Sequence, residues 1–194
     1  VIYCATTDEI IWKKNANKEL NPASITKLMT CLIALEELGP DGKVNVTSDA
    51  VQAAVKGLTV PIVTAGEELT VKDLVYECMF VSANDAAAAL GIAVSGSEKK
   101  FAKLMNKKAA ALGCTHTNFV NASGIQAEKH YSSAADVVKI ANAAFSNEDL
   151  REIAGTLKYT VPKTNKSDAR ELENGNLFLT GGQVKYTDGT VVDD

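Results

Sequence analysis

Pro22-Ala-Ser-Ile-Thr-Lys-Leu-Met-Thr-Cys-Leu-Ile-Ala-Leu-Glu-Glu-Leu38 is the stretch whose reading decides the fold. Leu28, Cys31, Leu32, Ile33 and Leu35 leave no wide polar face before Glu36 and Glu37, the pattern of a helix buried in a core. Ser24 and Lys27 stand in what should be its first turn, where side chains at i and i+3 share a face. Burial disfavours ammonium relative to amine, so a lysine at the rim of such a helix is expected to give up its proton more readily than in water. A serine hydroxyl needs a neighbouring base of that kind before it can attack near neutral pH. A capping serine followed by a snorkelling lysine would place the same residues in the same way, so the pair acquires meaning only from the rest of the chain.

The rest of the chain narrows the classes first. At 194 residues, 46% hydrophobic and 23% charged, it has the composition of a soluble globular protein with one sizeable core or two small ones. A net charge of −4 with no Lys/Arg block predicts neither a nucleic-acid partner nor a polybasic membrane patch. No apolar run approaches the roughly 20 residues that span a bilayer. The chain opens at Val1 inside a strand-like run, without initiator Met or signal-peptide pattern, and is expected to have been trimmed or processed. Cys4, Cys31, Cys78 and Cys114 are widely spaced in apolar segments, and His116 and His130 fall in no metal-ligand spacing. No metal, no cofactor and four buried thiols rather than two disulfides are expected.

Along the chain, Val1–Ala5 and Ile10–Lys13 predict an N-terminal hairpin, followed by a loop to Pro22. Gly39-Pro-Asp-Gly42 ends the first helix, Lys43–Thr47 alternates as a strand does, and Ser48 is placed to cap a short helix over Asp49–Val55. Thr70-Val-Lys-Asp73 resembles a capping box and opens a helix to about Phe80. Further helices are predicted over Ala86–Val94, Glu98–Leu112, Ala134–Phe145 and from Asn147 to Ile153, then a strand over Leu157–Val161. Lys163–Asn176 is a polar segment with Leu172 as its one apolar residue of weight, and Phe178–Thr180 with Gln183–Tyr186 reads as a last small hairpin turning near Asp188-Gly189. Consecutive helices between strand material at both ends predict an α+β fold, a helical region beside a sheet formed by the chain termini. The expected organisation is one domain over 1–194: a hairpin over 1–20, a helical region over 21–155 that carries the site, and a strand and polar segment over 156–194.

Ser82-Ala-Asn84 falls between two apolar helices, where polar groups inside a core must find partners. Ser82 is placed to relay a proton to or from Lys27, and the Asn84 amide to donate and accept. The same residues also suit a turn in which Asn84 or Asp85 merely caps the next helix.

Ser24-Ile-Thr-Lys27 and Ser82-Ala-Asn84 together resemble the S-x-x-K and S-D-N motifs of penicillin-binding proteins and class A β-lactamases. The chain is identified as similar to the low-molecular-mass penicillin-binding proteins, the serine-type D-alanyl-D-alanine carboxypeptidases. Asn21–Thr30, Val81–Ala88, Met105-Asn-Lys-Lys108, Leu112-Gly113, Thr117–Asn121, Gly124 and His130-Tyr-Ser-Ser133 carry the likeness, over roughly residues 1–178. It implies the β-lactamase/transpeptidase-like fold, with Ser24 as nucleophile, Lys27 as its base, Ser82 as proton carrier and Asn84 as substrate-binding residue. The implied substrate is the D-Ala-D-Ala end of a peptidoglycan stem peptide, with β-lactams as inhibitors and an extracytoplasmic, secreted or membrane-associated setting. A serine β-lactamase and a non-catalytic peptidoglycan-binding relative are the alternatives; Glu171-Leu-Glu-Asn174 does not fit the class A deacylation stretch. The family's Lys-Thr-Gly motif is matched by neither Lys163-Thr-Asn165 nor Leu179-Thr-Gly181. The expectation is that this motif and its strands lie beyond Asp194, and that the 194 residues alone are close to inactive.

Overall fold

The computed structural model describes residues 1–7, 9–181, 184–185 and 191–192. Strands β1 (Ile2–Cys4) and β2 (Glu9–Trp12) form an antiparallel hairpin. A 3-10 turn over Ala23–Ile25 leads into α1 (Thr26–Leu38), then β3 (Lys43–Asn45), α2 (Ser48–Lys56) and β4 (Glu68–Thr70). Helices α3 (Val71–Phe80), α4 (Asn84–Ser95), α5 (Glu98–Ala111), α6 (Ala134–Ser146) and α7 (Glu148–Gly155) follow. The chain continues through β5 (Lys158–Val161), β6 (Arg170–Glu173), the short α8 (Leu177–Thr180), β7 (Val184–Lys185) and β8 (Val191–Val192).

The core is built on two helices that are apolar nearly all round. On α1, Met29, Cys31, Leu32, Ile33, Ala34 and Leu35 are buried; on α4, Ala86 to Leu90 are. The small residues of α4 let α1, α2, α3 and α5 pack directly against it. Gly91 marks a close approach of α5, since a Cβ there would lie 2.7 Å from the Phe101 ring. Helix starts follow the local signals: Thr70 and Asp73 form the reciprocal capping box, and Ser97, Ser133 and Asn147 accept from the first-turn amides of α5, α6 and α7. Each such cap contributes about 1 kcal/mol. All four cysteines are free, three of them buried and Cys4 half-buried. No described helix is long and apolar enough to cross a membrane.

Four local expectations are corrected. Thr47, not Ser48, caps α2, its side chain accepting from Ala50 N–H. Residues 170–173, expected only as part of a polar segment, form β6, because Leu172 drops into the core and the strand pairs antiparallel with β5. Phe178–Thr180 belongs to α8 rather than to a strand. Among the described residues the strands pair within separate two-stranded ladders, β1–β2, β3–β4, β5–β6 and β7–β8, so the two termini are not hydrogen-bonded into one sheet. A ladder does close between Val184–Lys185 and Val191–Val192, and the expected Asp188-Gly189 turn lies outside the described residues.

β6 is tied to the helices by a buried charge cluster. Arg170 Nε and Nη2 both donate to Glu77 Oε1 (2.9 and 2.5 Å), and Nη1 donates to Glu67 Oε1 (2.9 Å). Glu77 Oε2 is buried without a hydrogen-bond partner among the described residues. Burial outweighs the pull of Arg170 and pushes the Glu77 carboxyl from 4.5 up to about 7, while Asp85 and Glu67 add to the rise. Glu67 behaves oppositely: burial pushes it up, but Thr64 N–H, Arg170 and Thr164 overcome that and lower it. Between 4.5 and about 7 the folded Glu77 holds a proton that the unfolded chain releases, so stability falls as pH rises through that window. Glu77→Gln removes this titration. Thermal unfolding at pH 5 and pH 8 should show a wild-type loss steeper than the variant's by about 2 kcal/mol. Parallel losses in the two proteins would refute it.

Candidate active site

Ser24 lies in the 3-10 turn ahead of α1 rather than within the helix itself. The turn is entered through Ala23 at φ +46°, a left-handed conformation that costs a non-glycine residue about 1–2 kcal/mol. Asn21 Oδ1 accepts Ala23 N–H at 2.8 Å and holds it there. Lys27 follows in the first turn of α1 and is 2% exposed.

The loop 119–125 packs onto this turn. Asn121 accepts Gly124 N–H (2.7 Å) and donates to Ile125 O (2.8 Å), which curls the loop so that Ser123 O faces α1. Gly124, at φ +86°, touches the Ser24 turn so closely that a Cβ would sit 1.8 Å from Ala23 O. Thr30 Oγ1 donates to Ala122 O (2.6 Å) and braces the loop from below. His130 Nδ1 accepts Val120 N–H (3.1 Å), so the neutral ring carries its proton on Nε2 and donates it to Thr26 Oγ1 (2.9 Å). Burial lowers the His130 pKa and keeps the ring neutral.

Lys27 Nζ lies 3.1 Å from Ser24 Oγ, 2.8 Å from Asn84 Oδ1 and 2.8 Å from Ser123 O. Asn84 Oδ1 and Ser123 O can only accept. They claim two directions of the amine, and the third points at Ser24, as an N–H in the ammonium and as a lone pair in the neutral amine. Burial lowers the Lys27 pKa, with Cys78, Cys31 and Asp85 pulling it part of the way back.

Ser82 reaches the site from the α3–α4 junction at φ +56°, and its hydroxyl donates to Ser24 Oγ at 2.8 Å. Its path to Lys27 therefore runs through Ser24. Asn84 opens α4 but does not cap it; the N-cap, Ala83, makes no side-chain bond, so the capping alternative does not hold for Asn84. Asp85 Oδ2 instead accepts Ile62 and Val63 N–H (2.6 and 2.9 Å) and anchors the loop after α2. A groove of about 360 Å³ opens over Ser24, lined also by Asn84, Ser123, Gly124, Ile125 and Leu58.

The structure thus brings Ser24, Lys27, Ser82 and Asn84 together. Lys163-Thr-Asn165 lies elsewhere, as a turn whose Asn165 bonds Glu68 N–H and Gly66 O and whose Lys163 pairs with Asp168. Glu171 and Glu173 pair with Lys158 across β5–β6, away from the groove. Missing from the sequence reading were the Ser123 carbonyl and Thr59, which accepts from Asn84 Nδ2. A backbone carbonyl leaves no mark in a sequence; the Asn121…Gly124 turn was the one signal that the loop is shaped there.

Residues 1–190 match the sequence family described as D-alanyl-D-alanine carboxypeptidase, peptidase S11. The chain is 39% identical over 165 residues to the D-alanyl-D-alanine carboxypeptidase DacF of Bacillus subtilis, covering 82% of itself and 42% of the relative. It is 34% identical over 193 residues to DacC of Escherichia coli, covering 93% of itself and 48% of that protein. It therefore spans less than half the length of these two relatives. The crystal structure of the Streptomyces K15 DD-transpeptidase superposes with a TM-score of 0.81 at 27% identity, over 97% of this chain and 78% of that one. The β-lactamase/transpeptidase-like α+β fold is the one observed.

Proposed function

We propose, from the premise that this chain belongs to the D-alanyl-D-alanine carboxypeptidase family, that its protein removes the terminal D-Ala of peptidoglycan stem peptides through an acyl-enzyme on Ser24. The observation that carries the reading is the placement of Ser24 Oγ between Lys27 Nζ (3.1 Å) and Ser82 Oγ (2.8 Å), with the other directions of Lys27 already claimed.

Neutral Lys27 takes the Ser24 proton as Oγ attacks the penultimate carbonyl carbon. The resulting oxyanion faces the Ser24 backbone N–H at the positive end of α1, a fixed donor that needs no reorganisation. As the C–N bond breaks, Ser82 hands its hydroxyl proton to the departing amine, and the Lys27 ammonium then donates its extra proton to Ser82 directly, since Ser24 Oγ is by that point an ester oxygen with no proton to pass on. Asn84 holds Lys27 through Oδ1 and borders the groove that receives the peptide. Water then hydrolyses the ester, with Lys27 again as base. A β-lactam is an acyl donor of the same kind and occupies Ser24 in the same way. Because the substrate is peptidoglycan, the protein works outside the cytoplasmic membrane.

Intact-mass spectrometry after incubation with benzylpenicillin tests this in the complete protein. One covalent adduct is expected on the wild type and none on Ser24→Ala. No adduct on the wild type, or an adduct surviving Ser24→Ala, overturns the reading.

A further inference from the structure

We propose that Thr59 sets which way round the Asn84 amide lies, and through it aims Lys27 at Ser24; the inference rests on the reading of Lys27 as the base. Thr59 follows α2 in the loop over 57–63. Its backbone N–H donates to Ala54 O (3.0 Å) and its hydroxyl donates to the same carbonyl (3.1 Å). That carbonyl has no hydrogen to offer, so the single hydroxyl proton of Thr59 is committed to it. The side of Thr59 Oγ1 that meets Asn84, 3.2 Å from Nδ2, presents only lone pairs. Only the NH₂ end of the amide can face it, and Oδ1 must then face Lys27, where it accepts at 2.8 Å. A flipped amide would set oxygen against oxygen at Thr59 and N–H against N–H at Lys27. One chain of donors thus runs from Asn84 through Thr59 to Ala54, and its polarity dictates that Lys27 donates to Asn84 and keeps its remaining direction for Ser24.

The surroundings hold this contact in register. Asp85, next to Asn84, accepts Ile62 and Val63 N–H and ties the far end of the loop to the same helix start. Gly57 lets the near end close over the amide: a Cβ there would sit 2.6 Å from Ile125 Cδ1 and 3.0 Å from Asn84 Nδ2. Thr59 is itself exposed, so its replacement leaves the core intact. It does not touch Ser24 and is not itself among the residues that line the groove; it acts through Asn84 and is a positioning residue.

The test is the rate of Ser24 labelling by a fluorescent penicillin in the complete protein, from pH 5 to pH 10, for wild type, Thr59→Val and Thr59→Ser. Thr59→Val keeps the shape and removes the hydroxyl; it should label about tenfold more slowly. Its acidic limb should move to lower pH, because the ammonium loses an oriented acceptor while Cys31, Cys78 and Asp85 about Lys27 are unchanged. Thr59→Ser restores the donor chain and should stay within about twofold of wild type. A Thr59→Val rate within twofold of wild type, a slower rate with an unmoved limb, or a Thr59→Ser variant as slow as Thr59→Val each overturn the proposal. A wild type that does not label at Ser24 at all instead removes the premise, and is distinguished by that first measurement.

Discussion

Lys27→Met should label with penicillin at least 10³-fold more slowly than wild type at pH 8, with Ser24 still in place. Methionine nearly matches the lysine stem in length, so the buried site stays filled and the loss reports chemistry rather than a cavity. What disappears is the amine that lies 3.1 Å from Ser24 Oγ. Asn84 Oδ1 and Ser123 O lose their shared donor, each a buried or half-buried acceptor left unpaired, at about 1–3 kcal/mol apiece. Removing a buried amine whose ammonium was already disfavoured offsets part of this, so the variant should melt lower but fold. In the wild type the rate should climb with pH as Lys27 deprotonates, with the rise centred below the ordinary lysine value. Stopped-flow labelling of both proteins from pH 6 to 10 decides it; a Lys27→Met rate within tenfold of wild type sinks the assignment of the base.

Gly124→Ala should be the most damaging glycine-to-alanine change among the described residues. The new Cβ would meet Ala23 O at 1.8 Å, Ala23 C at 2.4 Å and Thr26 Oγ1 at 2.9 Å, and two of these three atoms are backbone. The two shortest contacts are to backbone, which cannot swing aside, so the loop itself must withdraw by about an ångström, on top of the cost of φ +86° for an L-residue. Withdrawal takes Ser123 O from Lys27, and a displacement of that size costs about 10²-fold in rate. A stability loss of about 3 kcal/mol or more is expected alongside. Gly96→Ala is the control: φ there is +78°, but nothing lies within 4 Å of the added Cβ. It should cost about 1 kcal/mol and leave labelling unchanged. Urea denaturation and labelling rates measured together on both variants separate strain from collision; equal effects would contradict the packing described.

The side chains of the site were legible in the sequence because the two motifs together resemble those of a known family; by type and spacing alone a capping reading stayed open for each. Ser24 and Lys27 share one turn, and Ser82 and Asn84 share one helix junction. The helices were legible for local reasons: Thr70 and Asp73, Ser133, and Asn147 are caps that act within a few residues. β6 was hidden because nothing local specifies it. Arg170-Glu-Leu-Glu173 offers one apolar residue, and it is held as a strand by β5 and by Glu67 and Glu77, which lie 103 and 93 residues before Arg170. Phe178–Thr180 was misread because three residues have no period to read. Ser123 escaped because its contribution is a main-chain oxygen, and Thr59 because its contribution is the direction of a hydrogen bond, which only the partners reveal.

The Lys27–Ser123 contact joins residues 96 apart, and Thr26–His130 spans 104. On a ribosome Ser24 and Lys27 emerge early, yet Ser123, whose carbonyl accepts from the Lys27 amine, emerges last among their partners. Closing a loop of that length costs entropy that local helix formation does not repay, so the site should mature late, after α1, α3 and α4 have already docked. A nascent chain paused before residue 119 would carry the serine and the lysine but no aimed base.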